Sequence, residues 1–186
     1  MAINKHTAHS VLLRHRQNME TAMEQIFDPR LLRQAFGRYA TGVTVVTARL
    51  SDGKQIGVTA NSFTSVSMSP PLISWNYRRD ASGYEAFLGA RHFAVHVLGH
   101  HQRHLSPQFA SAVADRFKDV ELDEGLGGVP LIRDCGATFE CRQWSTVEAG
   151  DHVIILGEVL RFTHNDTAPL VFHAGSYLQL PAAQCT

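Results

Sequence analysis

Apolar residues recur along this chain in two rhythms, a helical one near the start and an alternating one through most of the remainder. Leu31, Leu32, Ala35, Phe36 and Tyr39 fall at helical spacing and make one apolar face. Asp28 is a suitable cap and Pro29 a suitable first residue, so a helix is expected to start there and to end at Gly42. The Val- and Thr-rich run from Val43 to Arg49 then reads as a strand, Ser51-Asp52-Gly53-Lys54 as a turn, and Gln55 to Phe63 as the returning strand. Pro70-Pro71 precedes a third strand, Leu72 to Asn76, and Ala81 to Leu88 reads as a short helix. His92 to Leu98 alternates, placing Phe93, Val95 and Val97 on one face, and His101 to Phe117 is helical or mixed. A loop marked by Gly125, Gly127, Gly128 and Pro130 leads to two long strands, Cys135 to Trp144 and His152 to Thr163, joined around Glu148-Ala149-Gly150-Asp151. Pro169 to His173 closes the series. About seven strands, several joined by tight turns, with two or three helices, favour a mainly β antiparallel barrel over an alternating α/β sheet.

Residues 1 to 26 read as a polar extension with helical character from about Val11. Residues 27 to 180 form the expected domain, and residues 181 to 186 a short tail. The 186 residues suffice for one well-buried domain. Lys+Arg and Asp+Glu number 17 each, so no net field draws the chain to nucleic acid or an anionic membrane. No apolar run approaches the roughly 18 to 20 residues of a transmembrane helix, and the N-terminus lacks a signal-peptide core. Cys135, Cys141 and Cys185 are odd in number and form no CxxC pair, which favours reduced thiols. A cytoplasmic location is expected. Cys141, in mid-strand, reads as a buried filler and not a nucleophile.

Three stretches can carry chemistry. Gly57-Val58-Thr59-Ala60-Asn61-Ser62-Phe63-Thr64-Ser65 starts as a strand and becomes dense in short hydroxyl and amide side chains. A flavin ring needs such a lining, because its polar edge atoms are met by backbone groups and by side chains short enough to allow close approach. A solvated Ser/Thr-rich edge strand has the same composition. Asn76-Tyr77-Arg78-Arg79-Asp80-Ala81-Ser82 lies between a strand end and a helix start, where N–H groups, two guanidinium groups and a hydroxyl suit a phosphate. Adjacent arginines in a loop also serve as plain solvated surface. His152, after the Gly150-Asp151 turn, is placed either to orient a nicotinamide or to be satisfied by its strand neighbours. His100, His101 and His104 lack carboxylates at matching spacing, so no metal site is expected. GxGxxG, GxxxxGK[ST] and GxSxG motifs in their required settings are absent from the sequence.

Ordered along the chain, several segments carry a resemblance. They are Phe36-Gly37-Arg38-Tyr39-Ala40-Thr41-Gly42, then Gly57-Val58-Thr59-Ala60-Asn61-Ser62-Phe63, Pro70-Pro71-Leu72 and Phe93-Ala94-Val95-His96-Val97-Leu98. Phe109 with Asp115-Arg116-Phe117, Gly150-Asp151-His152 and the closing Pro169 to Tyr177 follow. Together they resemble the flavin-reductase-like split-barrel family, the reductase components of two-component flavin-dependent monooxygenases. His96 stands where many members carry asparagine.

The resemblance implies a homodimeric split β-barrel with flanking helices, binding FMN or FAD and reducing it with NADH or NADPH for a separate monooxygenase. By position it assigns Val58, Thr59, Ala60, Asn61 and Ser62 to the flavin ring. Asn76, Arg78, Arg79 and Ser82 go to the ribityl phosphate, His152 to the nicotinamide, and Tyr177 to the same mouth. Hydride transfer between stacked rings asks mainly for positioning, with backbone donors or a cation at the edge where charge develops. The alternative within this fold is a flavin carrier or storage module with no direct nicotinamide activity.

Overall fold

The computed structural model describes residues 28–113 and 115–180. The helical character expected for residues 1 to 26, and the tail from 181, lie outside them. Two compact units divide the chain, Met1–Tyr39 and Ala40–Thr186. Helix α1 (Pro29–Phe36) belongs to the first. The Asp28 carboxylate accepts the Arg30 N–H at 2.7 Å and Pro29 opens the helix, as the sequence implies. It ends at Gly37, not at Gly42, because the Gly37 N–H turns back to the Ala35 and Arg33 carbonyls and closes the last turn. Thr41 and Gly42 instead form a short strand.

Among the described residues strands are the main regular element of the second unit. In chain order these are β1 (Thr41–Gly42), β2 (Thr44–Arg49), β3 (Gln55–Ala60), β4 (Thr64–Met68), β5 (Pro71–Arg78) and β6 (His92–Val97). After them come β7 (Leu122–Glu124), β8 (Pro130–Ile132), β9 (Ala137–Ala149), β10 (His152–His164), β11 (Leu170–His173) and β12 (Ser176–Gln179). Helices α2 (Tyr84–Gly89) and α3 (Leu105–Ala110) interrupt the series. Seven strands form one antiparallel sheet in the order β3-β2-β6-β9-β10-β5-β4; β1, β11 and β12 form a second, and β7 and β8 a hairpin. The large sheet does not close: β3 and β4 are its two free edges, although they are consecutive in sequence. This is the split barrel.

Strand count and lengths depart from the sequence pattern for local reasons. β4, Thr-Ser-Val-Ser-Met, shows no apolar alternation and its ladder slips between Ser65 and Ser67. β9 runs on past Trp144 to Ala149 because a register shift opposite Leu156/Gly157 bulges out Trp144 and breaks the alternation. It also begins at Ala137, leaving Cys135 in the preceding turn. The glycine loop near 125–130 is flanked by the β7–β8 hairpin, and β12 follows β11. Both pairs are too short for a periodic signal.

Two apolar clusters sit on opposite faces of β2 and β6. Val46, Ala48, Phe93 and Val95 join Ile73, Trp75, Phe87, Val153 and Ile155 in one. Trp75 is fully buried, with the Phe87 ring edge-on at 5.2 Å. Val43 and Val45 join Leu98, Leu105, Phe109, Ile132 and Leu170 in the other. The central strands are therefore buried on both sides. Cys135 and Cys141 are buried free thiols, their pKa values pushed up to about 12 chiefly by burial, which removes thiolate chemistry at neutral pH.

His96 is fully buried, on the face of β6 opposite Phe93 and Val95. Its Nδ1 lies 3.0 Å from the Val45 carbonyl, so Nδ1 carries the proton and donates. Nε2 is buried without a partner among the described residues. Burial lowers the ring's pKa to about 4 against the ordinary 6.5, opposed by the bond to Val45. Between these values the unfolded chain binds a proton that the folded one does not, so His96 makes stability fall as pH drops through that window. The full effect is at most roughly 3 kcal/mol. Thermal melts from pH 7.5 to 4.5 should show a shallower acid loss for His96→Asn than for the natural chain. Equal slopes would remove His96 as the source.

Candidate functional site at the open seam

The seam between the free edges follows from a link of three residues, Asn61 to Phe63, which carries the chain from β3 on one edge to β4 on the other. On an edge strand alternate residues turn their backbone N–H and C=O away from the sheet. The Gly57 carbonyl accepts from Arg116 Nη1 at 2.7 Å, so Gly57 belongs to the outward set, and so does Thr59 two residues on. Gly57 is required here by space. A Cβ would stand 2.6 Å from the buried Phe109 ring, which is itself met edge-on by Phe117 at 5.1 Å. Thr59 Oγ1 donates to the Ser106 carbonyl of α3 at 2.7 Å, fixing this wall to the second apolar cluster.

The facing wall is the end of β5, the turn after it and the start of β10. Register places Arg78 directly opposite His152 and Asn76 opposite Ile154. Ser62 Oγ accepts the Asn76 N–H at 2.9 Å and so crosses the seam. Arg78 Nε donates to Asp80 Oδ1 at 2.9 Å, orienting the guanidinium beside the turn. His152 Nδ1 and Asp151 Oδ1 are 2.8 Å apart, so the proton on Nδ1 is shared with the carboxylate and Nε2 is the other ring nitrogen. That hydrogen bond, then the charge of His152, holds the Asp151 carboxyl below its usual range.

Between the walls lies a cleft of about 490 Å³, inside the range of small-molecule sites. It is lined by Val58, Thr59, Ala60, Asn61 and Ser62 from one wall and by Asn76, Arg78, Ser82 and His152 from the other. Three separated segments singled out from sequence thus converge. Two candidates stand apart from this cleft. Arg79 faces Glu148, its Nη1 3.5 Å from Oε2. Tyr177 lies by the second apolar cluster, its hydroxyl 2.8 Å from Ser106 Oγ and its ring 5.0 Å below the Arg103 guanidinium. Tyr77, Asp80, Ala81, Ala110 and Arg116 line the cleft without having been assigned a role. For Arg116 a signal existed, since Asp115-Arg116-Phe117 is among the matched segments, but of its two guanidinium partners, Ser111 and Gly57, the one on the cleft wall is 59 residues away.

The lining fits a flavin on grounds of its own. Outward backbone at Thr59 offers hydrogen-bonding groups, and Ala60, Ala81, Ala110, Ser62 and Ser82 are small enough for a flat ring to approach. Arg116 supplies positive charge at the same opening, where Arg78 sits paired with Asp80. Among the described residues no cluster of three or more histidine, cysteine or carboxylate groups is arranged for a metal.

Comparison with known families decides the grouping, for residues 36–181 match the flavin reductase like domain. The chain belongs to this family. Among flavin-reductase-like relatives, "FMN reductase (NADH) SmoA" of Agrobacterium fabrum is 45% identical over 159 residues, covering 83% of this chain and 90% of that protein. The reductase component of the flavin-dependent trigonelline monooxygenase of Acinetobacter baylyi is 40% identical over 164 residues, covering 88% of this chain and 53% of its own. The solved NADH:FAD oxidoreductase SgcE6 of Streptomyces globisporus, in complex with NAD and FAD fragments, superposes with a TM-score of 0.80 at 38% identity, covering 85% and 96% of the two chains. The chain spans about half the length of some curated relatives, 49% of one from Rhizobium meliloti that is 47% identical.

Gly57 gives this geometry a direct test. Gly57→Ala should cost about 1–3 kcal/mol in chemical denaturation, the usual range for forcing a group into a filled site. An unchanged midpoint would mean that Phe109 yields without penalty.

Proposed function

We propose that this flavin-reductase-like chain is an NAD(P)H:flavin oxidoreductase, which passes hydride to FMN or FAD and supplies the reduced flavin to a separate monooxygenase. The observation that carries this reading is the convergence of the 58–62 backbone, Arg78, Ser82 and His152 on one cleft at the seam. The printed activities of the two relatives and of the solved oxidoreductase support it. A bound flavin supplies the hydride acceptor, at N5, for hydride from C4 of the nicotinamide. The chain's own part is to hold and orient. Outward backbone groups and short side chains of residues 58 to 62 meet the polar ring edges. Arg78 and Ser82, with Asn76, take the ribityl phosphate. His152, braced by Asp151, positions the nicotinamide, and fixed donors with nearby cations stabilise the charge that develops on reduction.

The same reading includes a homodimer. Cross-strand register puts Leu72, Ile154, Leu156 and Val147 on the outer face of β5, β10 and β9, opposite the buried Ile73, Trp75, Val153 and Ile155. Val147 is 50% exposed, and Trp144, bulged out beside it, is also 50% exposed. These apolar side chains, set among Ser74, Asn76 and Ser145 on the same face, favour a second copy. Asn76, Arg78 and His152 share that face by parity, so a partner there would stand beside the cleft. A cytoplasmic location accords with the buried reduced thiols of Cys135 and Cys141. Among the described residues no helix is long and apolar enough to cross a membrane.

Two measurements check the proposal. Steady-state assays crossing NADH and NADPH with FMN, FAD and riboflavin should bleach the nicotinamide and flavin absorbances, and oxidation no faster than without flavin would refute it. In the same assay His152→Ala should raise KM for the nicotinamide roughly tenfold, the loss of one contact worth about 1.4 kcal/mol; unchanged KM and kcat would remove His152 from that role. Separately, light scattering should give twice the chain mass for the natural protein and a shift towards monomer for Val147→Asp.

A further inference from the structure

Three cation–carboxylate pairs stand around the end of β5 and the start of β10: Arg78 with Asp80, Arg79 with Glu148, and His152 with Asp151. Only in the first do both members line the cleft at the seam, and Asp80 is the one carboxylate in that lining among the described residues. Its company there includes two guanidinium groups, of Arg78 and Arg116, and the His152 ring. The pairing is local. The Ala81 N–H returns to the Arg78 carbonyl at 3.3 Å and the Arg79 N–H reaches the Asp151 carbonyl at 3.0 Å, so a backbone turn sets Asp80 two residues beyond Arg78. Arg78 Nε donates to Oδ1 at 2.9 Å and Nη2 to Oδ2, a grip on both carboxylate oxygens. That edge of the guanidinium is the fork that a phosphate matches. The two side chains are 63% and 68% exposed. Water can therefore solvate the carboxylate once it is displaced, and separating the pair takes only side-chain rotation.

Resting on the flavin-reductase reading, with Arg78 at the ribityl phosphate, we propose that Asp80 is a specificity-determining residue, a built-in competitor that occupies the Arg78 fork until a phosphate displaces it. The rivals differ in degree. A carboxylate brings one charge and two oxygens, whereas a phosphate monoester brings about two charges and three oxygens. The phosphate therefore wins the fork, at a discount set by the fraction of chains in which the fork stands open. Exposed ion pairs are weak, so this discount is small, up to about fivefold in affinity. Riboflavin has no phosphate and does not meet it. Asp80 thus narrows the preference of the cleft for phosphorylated flavins over riboflavin. It also refills the fork as the phosphate departs, which suits a flavin handed on as product more than one kept as a resident group.

A double-mutant cycle tests this on the whole chain. The natural protein, Asp80→Asn, Arg78→Ala and the double variant are titrated with FMN and with riboflavin, and thermal melts check that each folds. The expected result is that Asp80→Asn tightens FMN about fivefold and leaves riboflavin unchanged. In the Arg78→Ala background the same substitution should move FMN less than about twofold, because the contested fork is gone. Weaker FMN binding by Asp80→Asn overturns the proposal, since Asp80 would then orient Arg78 for a phosphate at its other edge. Equal changes for FMN and riboflavin, no change for either, or a tightening that persists without Arg78 overturn it as well. Where Arg78→Ala weakens FMN but Asp80→Asn does not tighten it, the competition alone fails. Arg78→Ala with FMN affinity unmoved takes the phosphate away from Arg78 and the proposal with it. A natural chain that binds neither flavin fails the flavin-reductase reading instead, so the failures are distinguishable.

Discussion

An unclosed β-sheet must leave backbone donors and acceptors unpaired at both edges, and here that constraint organises the second unit. Both edges belong to consecutive strands, so the unpaired groups of β3 come to face the end of β5 across a link of three residues. An exposed edge is ordinarily a hazard, inviting pairing with other chains. On β3 it is met in part by Arg116, which reaches the Gly57 carbonyl, and by the Thr59 hydroxyl tying the strand to α3. What stays open is a short stretch of backbone with small side chains around it, which is what a flat polar ring needs. The cleft is the unfinished part of the barrel.

Placing rigid walls around such an opening requires strands that do not shift. β2 and β6 supply this by being buried on both faces, with Val46 and Phe93 in one cluster and Val45 and Leu98 with the other. Packed interiors transmit displacement instead of absorbing it. Phe109 illustrates the coupling. Fully buried in the second cluster, it rests against Gly57, and Phe117 rests on it in turn, so the apolar interior sets where Arg116 begins.

Much of this was readable from sequence, and the unreadable parts share a cause. The 57–63 stretch was legible because its composition changes abruptly from strand to short polar residues, and Gly150-Asp151-His152 because a turn before an apolar strand fixes the place of a side chain. The single-face reading of His92 to Leu98 was incomplete. Ala94 and His96 are buried as well as Phe93 and Val95, because a second cluster built from residues far along the chain covers that side. The alternation ends at Trp144 because a bulge there interrupts the period of two, although the strand runs on to Ala149. The segment around Arg116 resembles the family pattern but announces no task for the side chain, since Gly57, its partner on the cleft wall, lies in β3 and only folding brings them together. Tyr177, placed at the mouth by its position in the family pattern, has its hydroxyl by Ser106 and its ring by Arg103, neighbours that its own segment does not announce. Local signals survive in a sequence, whereas contacts made across 50 or more residues do not.

The Ser62–Asn76 hydrogen bond has a consequence for motion. Elsewhere neighbouring strands are joined by longer ladders, β9 and β10 along 13 residues each with two register shifts, so parting them breaks many bonds at once. Across the seam one hydroxyl, Ser62, accepts the Asn76 N–H and donates at 3.4 Å to the Asn76 carbonyl, a contact worth only about 1 kcal/mol net. Opening at the cleft therefore costs less than parting β2 from β6. A ligand can enter and leave through the seam while the ladders stay intact, so the exchange rate at the site is set apart from the lifetime of the fold.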